Sequence, residues 1–322
     1  MDGYEALPPR IPGPAAHRLP DTGPAARRPG VPAGGRDRRD GPAASAYRTL
    51  APPARGERGR PAADAPDGPG PVLVAAAHGT RDPAGVRTVR RLLERVRAAR
   101  PGLRVECGFL GPASPSLPDV LGRVAGPVVV VPVLLGPGYH VRVDIPAVLA
   151  AAGAGHRAVT APALGPDPLL AEALCGRLRE AGWHGRVPDH GRVPGGAVVL
   201  TAAGSRDPAA TAATRAMAGL LSARLGAPVV PAHLGGPLPP PAEAVAALRG
   251  RGRPGPVAVA PYLLAPGDFA RRAGPGCGAD AVAAPLGAHP AVAHLVLRRY
   301  DEARLRGARP ARAADHGSPT GR

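Results

Sequence analysis

The chain has 322 residues, a formal charge of +17, 45 Gly, 45 Pro and 2% aromatic side chains, a length that suits about two ordinary domains. Lysine, asparagine and glutamine are absent, so every basic side chain is Arg or His, and a Walker A loop is excluded. The charge comes without a helix-turn-helix signature, zinc-finger spacing or aromatic-rich strand, so no nucleic-acid partner is expected; a small polyanion would suit the same surface.

Residues 1–70 are rich in Pro, Gly, Ala and Arg and lack apolar periodicity, which predicts a disordered tail, either a basic interaction arm or dispensable. From Pro71 the pattern changes. Val72–Ala77 reads as a buried strand, and Ala84–Arg100 as a helix with Val86, Val89, Leu92, Leu93 and Val96 on one face. Leu103–Leu110 is a second strand, and Pro115–Val124 a short helix opened by Ser114 or Ser116. Val128–Leu135, largely β-branched, suits the centre of a parallel sheet. Asp144 reads as the N-cap of the next helix, with Pro146 in its first turn. A strand over Arg157–Ala161 and a helix over Asp167–Ala181 complete the unit.

The order then repeats. Strands are expected at Ala197–Ala202, Val229–Leu234, Val257–Leu264 and Ala279–Ala283, and helices at Ala209–Leu225, Ala242–Arg249 and Pro290–Arg304. Local echoes support a duplication. Ala77-His78-Gly79-Thr80-Arg81-Asp82-Pro83 is answered by Ala203-Gly204-Ser205-Arg206-Asp207-Pro208, and Leu134-Leu135-Gly136-Pro137-Gly138 by Leu263-Leu264-Ala265-Pro266-Gly267. A repeat this long is a duplicated domain rather than a solenoid. The expected organisation is a tail over 1–70, a first lobe over 71–183, a linker over 184–196, a degenerate second lobe over 197–306 and a disordered tail over 307–322. Alternating strands and helices predict parallel sheets covered on both faces.

Two histidines follow strand ends in the first half, where an open parallel sheet binds ligands. His78 succeeds the first strand and His140 the third; Ala203 and Phe269 replace them in the second half. A single loop histidine is commonly structural, but losing both together points to one site rather than two. Neutral imidazole suits Fe, Co, Ni and Zn, and also accepts a proton near neutral pH.

Three stretches carry a specific resemblance: Ala77-His78-Gly79-Thr80-Arg81-Asp82-Pro83, Pro115-Ser116-Leu117-Pro118-Asp119, and Gly138-Tyr139-His140-Val141-Arg142-Val143-Asp144-Ile145-Pro146. Together with Leu164-Gly165-Pro166-Asp167-Pro168, they resemble the sirohydrochlorin chelatase family in order and spacing over Val72–Arg304. The resemblance implies a chelatase-like α/β fold: two duplicated three-layer lobes with parallel sheets and a cleft between them. It also implies insertion of Fe²⁺ or Co²⁺ as substrate metal into sirohydrochlorin, on routes to sirohaem or cobalamin, without an organic cofactor. His78 and His140 then match the metal-binding and catalytic histidines.

Arg81, Arg142 and Arg206 are candidates to hold the carboxylates of the tetrapyrrole, since guanidinium pairs bidentately with them. Loop ion pairing or N-capping is the structural reading of the repeated Arg81-Asp82 and Arg206-Asp207. His233 is a candidate to face the cleft from the second lobe, and Asp268 to supply a carboxylate; His289 reads as a helix cap. One position departs from the family. Where many relatives carry a glutamate after the second strand, this chain has Gly111; Glu106 and Ser114 are not assumed to replace it.

A histidine phosphatase is set aside because Ala77 stands where those enzymes have arginine. The remaining alternative is a metal- or tetrapyrrole-binding protein that no longer turns over. The metal stays open among iron, cobalt and nickel. Cys107, Cys175 and Cys277 are dispersed, the start carries Asp2 and Glu5, and no apolar run nears the length of a membrane span. A cytoplasmic protein is therefore expected, with no membrane partner; two lobes fused on one chain make the cleft intramolecular, so a monomer is expected.

Overall fold

The computed structural model describes residues 70–184, 196–250, 255–274 and 276–307. Apart from their end residues, the expected tails over 1–70 and 307–322 and the linker over 184–196 lie outside the described residues.

The first half runs β1 (Val72–Ala77), α1 (Pro83–Ala99), β2 (Val105–Phe109), α2 (Leu117–Arg123) and β3 (Val128–Pro132). A π-helical turn (His140–Asp144) then leads into α3 (Ile145–Ala151), β4 (Ala158–Thr160) and α4 (Pro168–Glu180). The second half runs β5 (Ala197–Ala202), α5 (Pro208–Leu225), β6 (Val229–His233), α6 (Pro241–Gly250) and β7 (Val257–Tyr262). It closes with α7 (Asp268–Ala273), β8 (Ala281–Val282) and α8 (Pro290–Gly307). Each half forms a four-stranded parallel sheet, ordered β2-β1-β3-β4 and β6-β5-β7-β8. Their registers correspond: Ala77 pairs with Phe109 and Ala202 with His233.

Side-chain alternation along the strands explains the layers. Leu73, Ala75 and Ala77 of β1 and Val198, Leu200 and Ala202 of β5 enter one shared core with α1, α4, α5 and α8. Val72, Val74 and Ala76 face outward against α2 and α3, and Ala197 and Val199 against α6. Both faces of each sheet are thus buried, which is why the strands read as unbroken apolar runs.

The last helix of each half crosses over. α8 packs on α1 and on β3 and β4 of the first sheet, whereas α4 packs on α5 and on β7 of the second. Polar contacts fix the exchange. Tyr300 donates to the Pro71 carbonyl at 2.6 Å, Arg100 binds Asp301 at 2.6 and 2.7 Å, and Tyr262 donates to the Leu135 carbonyl at 2.7 Å. Asp167 joins both roles, capping α4 through Leu169 N at 2.9 Å and accepting from Arg299 of α8 at 3.0 Å and from Arg298.

Two sequence expectations change. Asp144 does not cap α3; its backbone is helical (φ −68°, ψ −46°) because the π-helical turn already precedes it. Helix α7 was not expected. It is six residues long and starts after Gly267, which has no side chain to cap it; Asp268 lies inside the first turn rather than at the cap. Among the described residues no helix is long and apolar enough to cross a membrane.

Candidate functional site

The repeated loop after β1 and β5 is a turn fused to a helix cap. Gly79 and Gly204 take φ of +84° and +89°, a region that suits glycine. Thr80 and Ser205 hydroxyls each accept from the backbone N–H of the following aspartate at 3.1 Å. Asp82 and Asp207 then each accept the N–H two residues on, at 2.9 Å, as N-caps of α1 and α5. This accounts for the sequence that both halves keep. His78 is left without an architectural task.

The structure brings His78 and His140 together, with ring centroids 4.6 Å apart and planes tilted by 53°. β1 delivers one ring, and the turn after β3 the other. His78 is exposed at the loop surface, but partial desolvation holds its imidazole below the usual histidine range; the neighbouring His140 lowers it further, and the Asp144 carboxylate opposes. His140 Nδ1 is in hydrogen-bond contact with Asp144 Oδ2, four residues on in the same π-helical turn. A neutral pair of imidazoles at a strand edge can bind a divalent transition metal or accept protons. Among the described residues no cluster of three or more His, Cys, Asp or Glu is placed to share an ion.

Gly111 sits against this site for a steric reason. Leu110 N donates to the Ala77 carbonyl at 2.9 Å, drawing the chain after β2 across the His78 loop. A Cβ added at Gly111 would lie 2.7 Å from the His78 carbonyl oxygen, so no larger residue fits without moving backbone. Glu106 does not substitute: it pairs with Arg104 at 3.1 Å.

The arginines divide. Arg81 and Arg206 are exposed at equivalent loop positions. Arg142, expected to hold a ligand carboxylate, instead reaches across to Asp207 in the other half, while remaining 53% exposed. Arg271 of α7 makes the mirrored contact to Asp82 at 3.1 Å and also binds Asp268, so that carboxylate is engaged. The expectation that His233 faces a cleft does not match its position. It is 2% exposed, and its Nε2 lies 3.3 Å from the Thr214 hydroxyl of α5. His289 does act as a cap, its Nδ1 accepting from Ala291 N at 3.2 Å.

Sequence reasoning missed Asp144 as the partner of His140 and Arg271 as the counterpart of Arg142. The four-residue spacing within the turn was the available signal for the first. For the second it was the match of Gly138…Arg142 to Gly267…Arg271.

Two α/β lobes with parallel sheets, joined over a pair of strand-end histidines in one lobe, define the chelatase class. The sequence model of one family, described as CbiX, matches residues 72–181 and 197–274. The chain belongs to this family of sirohydrochlorin chelatases. A sirohydrochlorin cobaltochelatase of Methanococcus maripaludis is 35% identical over 82 residues, a match spanning 24% of this chain and 57% of that protein. One of Methanosarcina acetivorans is 26% identical over 34% of this chain and 95% of that protein. The fold is that of the sirohydrochlorin chelatase SirB from Bacillus subtilis subspecies spizizenii in complex with cobalt. That match has a TM-score of 0.57 and 22% identity, and covers 73% of this chain and 96% of that one. SirB from Bacillus subtilis with Fe³⁺ aligns with a TM-score of 0.59 at 22% identity, over 74% and 97% of the two chains.

Proposed function

We propose that this chain is a sirohydrochlorin chelatase that inserts Fe²⁺ or Co²⁺ into the macrocycle, with His78 and His140 as the metal-binding and proton-accepting groups. The observation that carries the reading is the facing pair of imidazoles at 4.6 Å, built in one half of a duplicated fold. Insertion requires an ion to be handed over and two pyrrole protons to leave. Imidazole suits both tasks: it binds borderline metals reversibly and takes a proton near neutral pH. The depressed basicity of His78 keeps its lone pair free at pH values where an ordinary histidine begins to charge.

The surroundings fit a carboxylate-rich planar ligand. Arg81 and Arg206 offer guanidinium groups on the two equivalent loops. Tyr139 and Val143, on the turn that carries His140, are 65% and 42% exposed, and Phe269 in the position equivalent to His140 is 47% exposed. These three are among five exposed large hydrophobic side chains of the described residues, and two of them, Tyr139 and Val143, lie on the same turn as His140. We extend the proposal to a cytoplasmic, single-chain enzyme without an organic cofactor, and leave the choice of metal, and of sirohaem or cobalamin route, to experiment.

Gly111 favours a second reading, a protein that binds metal or tetrapyrrole without turnover, because the chain lacks the carboxylate many relatives carry there. Anaerobic incubation with sirohydrochlorin and Co²⁺ or Fe²⁺, followed by absorption spectroscopy, separates the two. Insertion faster than the protein-free control supports the enzyme; binding with a rate equal to the control supports the alternative.

A further inference from the structure

The turn that carries His140 contains a second residue of the site. Its π-helical geometry is rare and concentrates at functional sites. Within it the carboxylate of Asp144 meets Nδ1 of His140 and makes no capping contact with α3. The second half shows whether this pairing belongs to the architecture. There Phe269 and Ala273 occupy the positions of His140 and Asp144, and the segment is an ordinary α-helical turn. Arg142 and Arg271, by contrast, keep mirrored contacts to Asp207 and Asp82. Histidine, carboxylate and π geometry are present together in one half and absent together from the other. The residues that dock the loops are present in both.

We propose that Asp144 is the positioning residue of His140: it accepts the Nδ1–H, fixes the plane of the ring, and leaves Nε2 as the lone pair that meets the divalent cation. This rests on the chelatase reading given above. An ionised carboxylate has no proton to give, so a neutral imidazole bonded to it carries its own proton on that nitrogen. The other nitrogen is then the acceptor. Carboxylates in this relation orient a metal-binding histidine, and their loss weakens metal binding by about 10–100-fold.

The test uses the full-length protein without tetrapyrrole. Two-bond ¹H–¹⁵N correlation of the metal-free wild type, at a pH where imidazole is neutral, should show His140 protonated on Nδ1 and bare on Nε2. Asp144→Asn, whose amide can donate to Nδ1, should move the ring to the opposite tautomer. It should also weaken Co²⁺ binding, followed by the visible ligand-field bands, about 10–100-fold. In a His140→Ala background the same change should leave Co²⁺ affinity unaltered, because coupled residues are not additive. A wild-type His140 protonated on Nε2 overturns the proposal. So does an equal Asp144→Asn loss with and without His140. None of these readouts needs turnover. If Asp144 governs the tautomer and Co²⁺ binding while no metal enters sirohydrochlorin, the positioning role stands and the chelatase reading fails.

Discussion

Arg142, two residues beyond His140, donates to the carboxylate of Asp207 in the opposite half, and Arg271 returns the contact to Asp82. Each aspartate uses one oxygen to cap its helix and the other to receive the arginine. The two halves therefore dock through the same loops that frame the histidines. Removing Arg142 loses an exposed ion pair, about 0–1 kcal/mol. Removing Asp207 also loses the cap of α5, adding about 0.5–2 kcal/mol. Urea unfolding of Arg142→Ala and Asp207→Ala should rank them in that order; equal losses would mean that the cap carries no weight.

Gly111 is the position where a family-based design would restore glutamate. The structure argues against that. With a Cβ 2.7 Å from the His78 carbonyl, Gly111→Ala and Gly111→Glu should both displace the His78 loop. A destabilisation of about 1–3 kcal/mol is expected, as for other forced overpacking. Insertion activity should fall in both variants. A gain in activity for Gly111→Glu at unchanged melting temperature would show that the loop yields and that the missing carboxylate is limiting.

The exchanged helices make the halves interdependent. Asp167 is 4% exposed and receives Arg299 and Arg298 from α8, so Asp167→Ala removes their buried carboxylate, leaves both arginines paired to Glu302, and takes the cap from α4. A loss of about 1–3 kcal/mol is expected from the missing cap and the charge-assisted hydrogen bonds. Deleting α8 should unfold the first sheet, which lies far from it in sequence but is covered by it. Hydrogen exchange on β3 and β4 reads this directly: protection that survives the deletion would contradict the packing.

The buried His233 gives a pH dependence whose sign is fixed. Burial holds its imidazole below the usual histidine range, and the Arg215 charge adds to this. As pH falls through about 6.5 the unfolded chain takes up its proton first. Stability is therefore intact above that pH and declines below it. His78 and His289 are shifted in the same direction. His233→Phe, the residue found at the equivalent Phe109, should flatten the acid decline by up to about 1.4 kcal/mol per pH unit. An unchanged slope of stability against pH would contradict the assignment.

Much of this was legible in the sequence because it rests on local rules. The buried strands Val72–Ala77 and Ala197–Ala202 are unbroken apolar runs, and Asp82, Asp167 and Asp207 stand just before prolines that open helices. The loss of His78 and His140 from the second half singled out the two rings that the structure brings together and on which the proposed site rests. What escaped depends on geometry that no propensity encodes. A π-helical turn turned Asp144 from a cap into a partner of His140, and α7 starts without a cap. The same apolar face of α8 would serve either sheet, so the exchange between halves left no local mark. His233 looked like a cleft residue from its strand-end position, but strand alternation and α5 place it in the interior.

The central claim is tested most directly by anaerobic metal insertion into sirohydrochlorin, comparing wild type with His78→Ala and His140→Ala. Wild type should form the metallated product with Co²⁺ or Fe²⁺ well above the uncatalysed rate. Each variant should lose at least about 100-fold, the scale of a lost acid–base group. Insertion by the wild type with both variants fully active would contradict the site. A wild-type rate equal to the protein-free control would contradict the function.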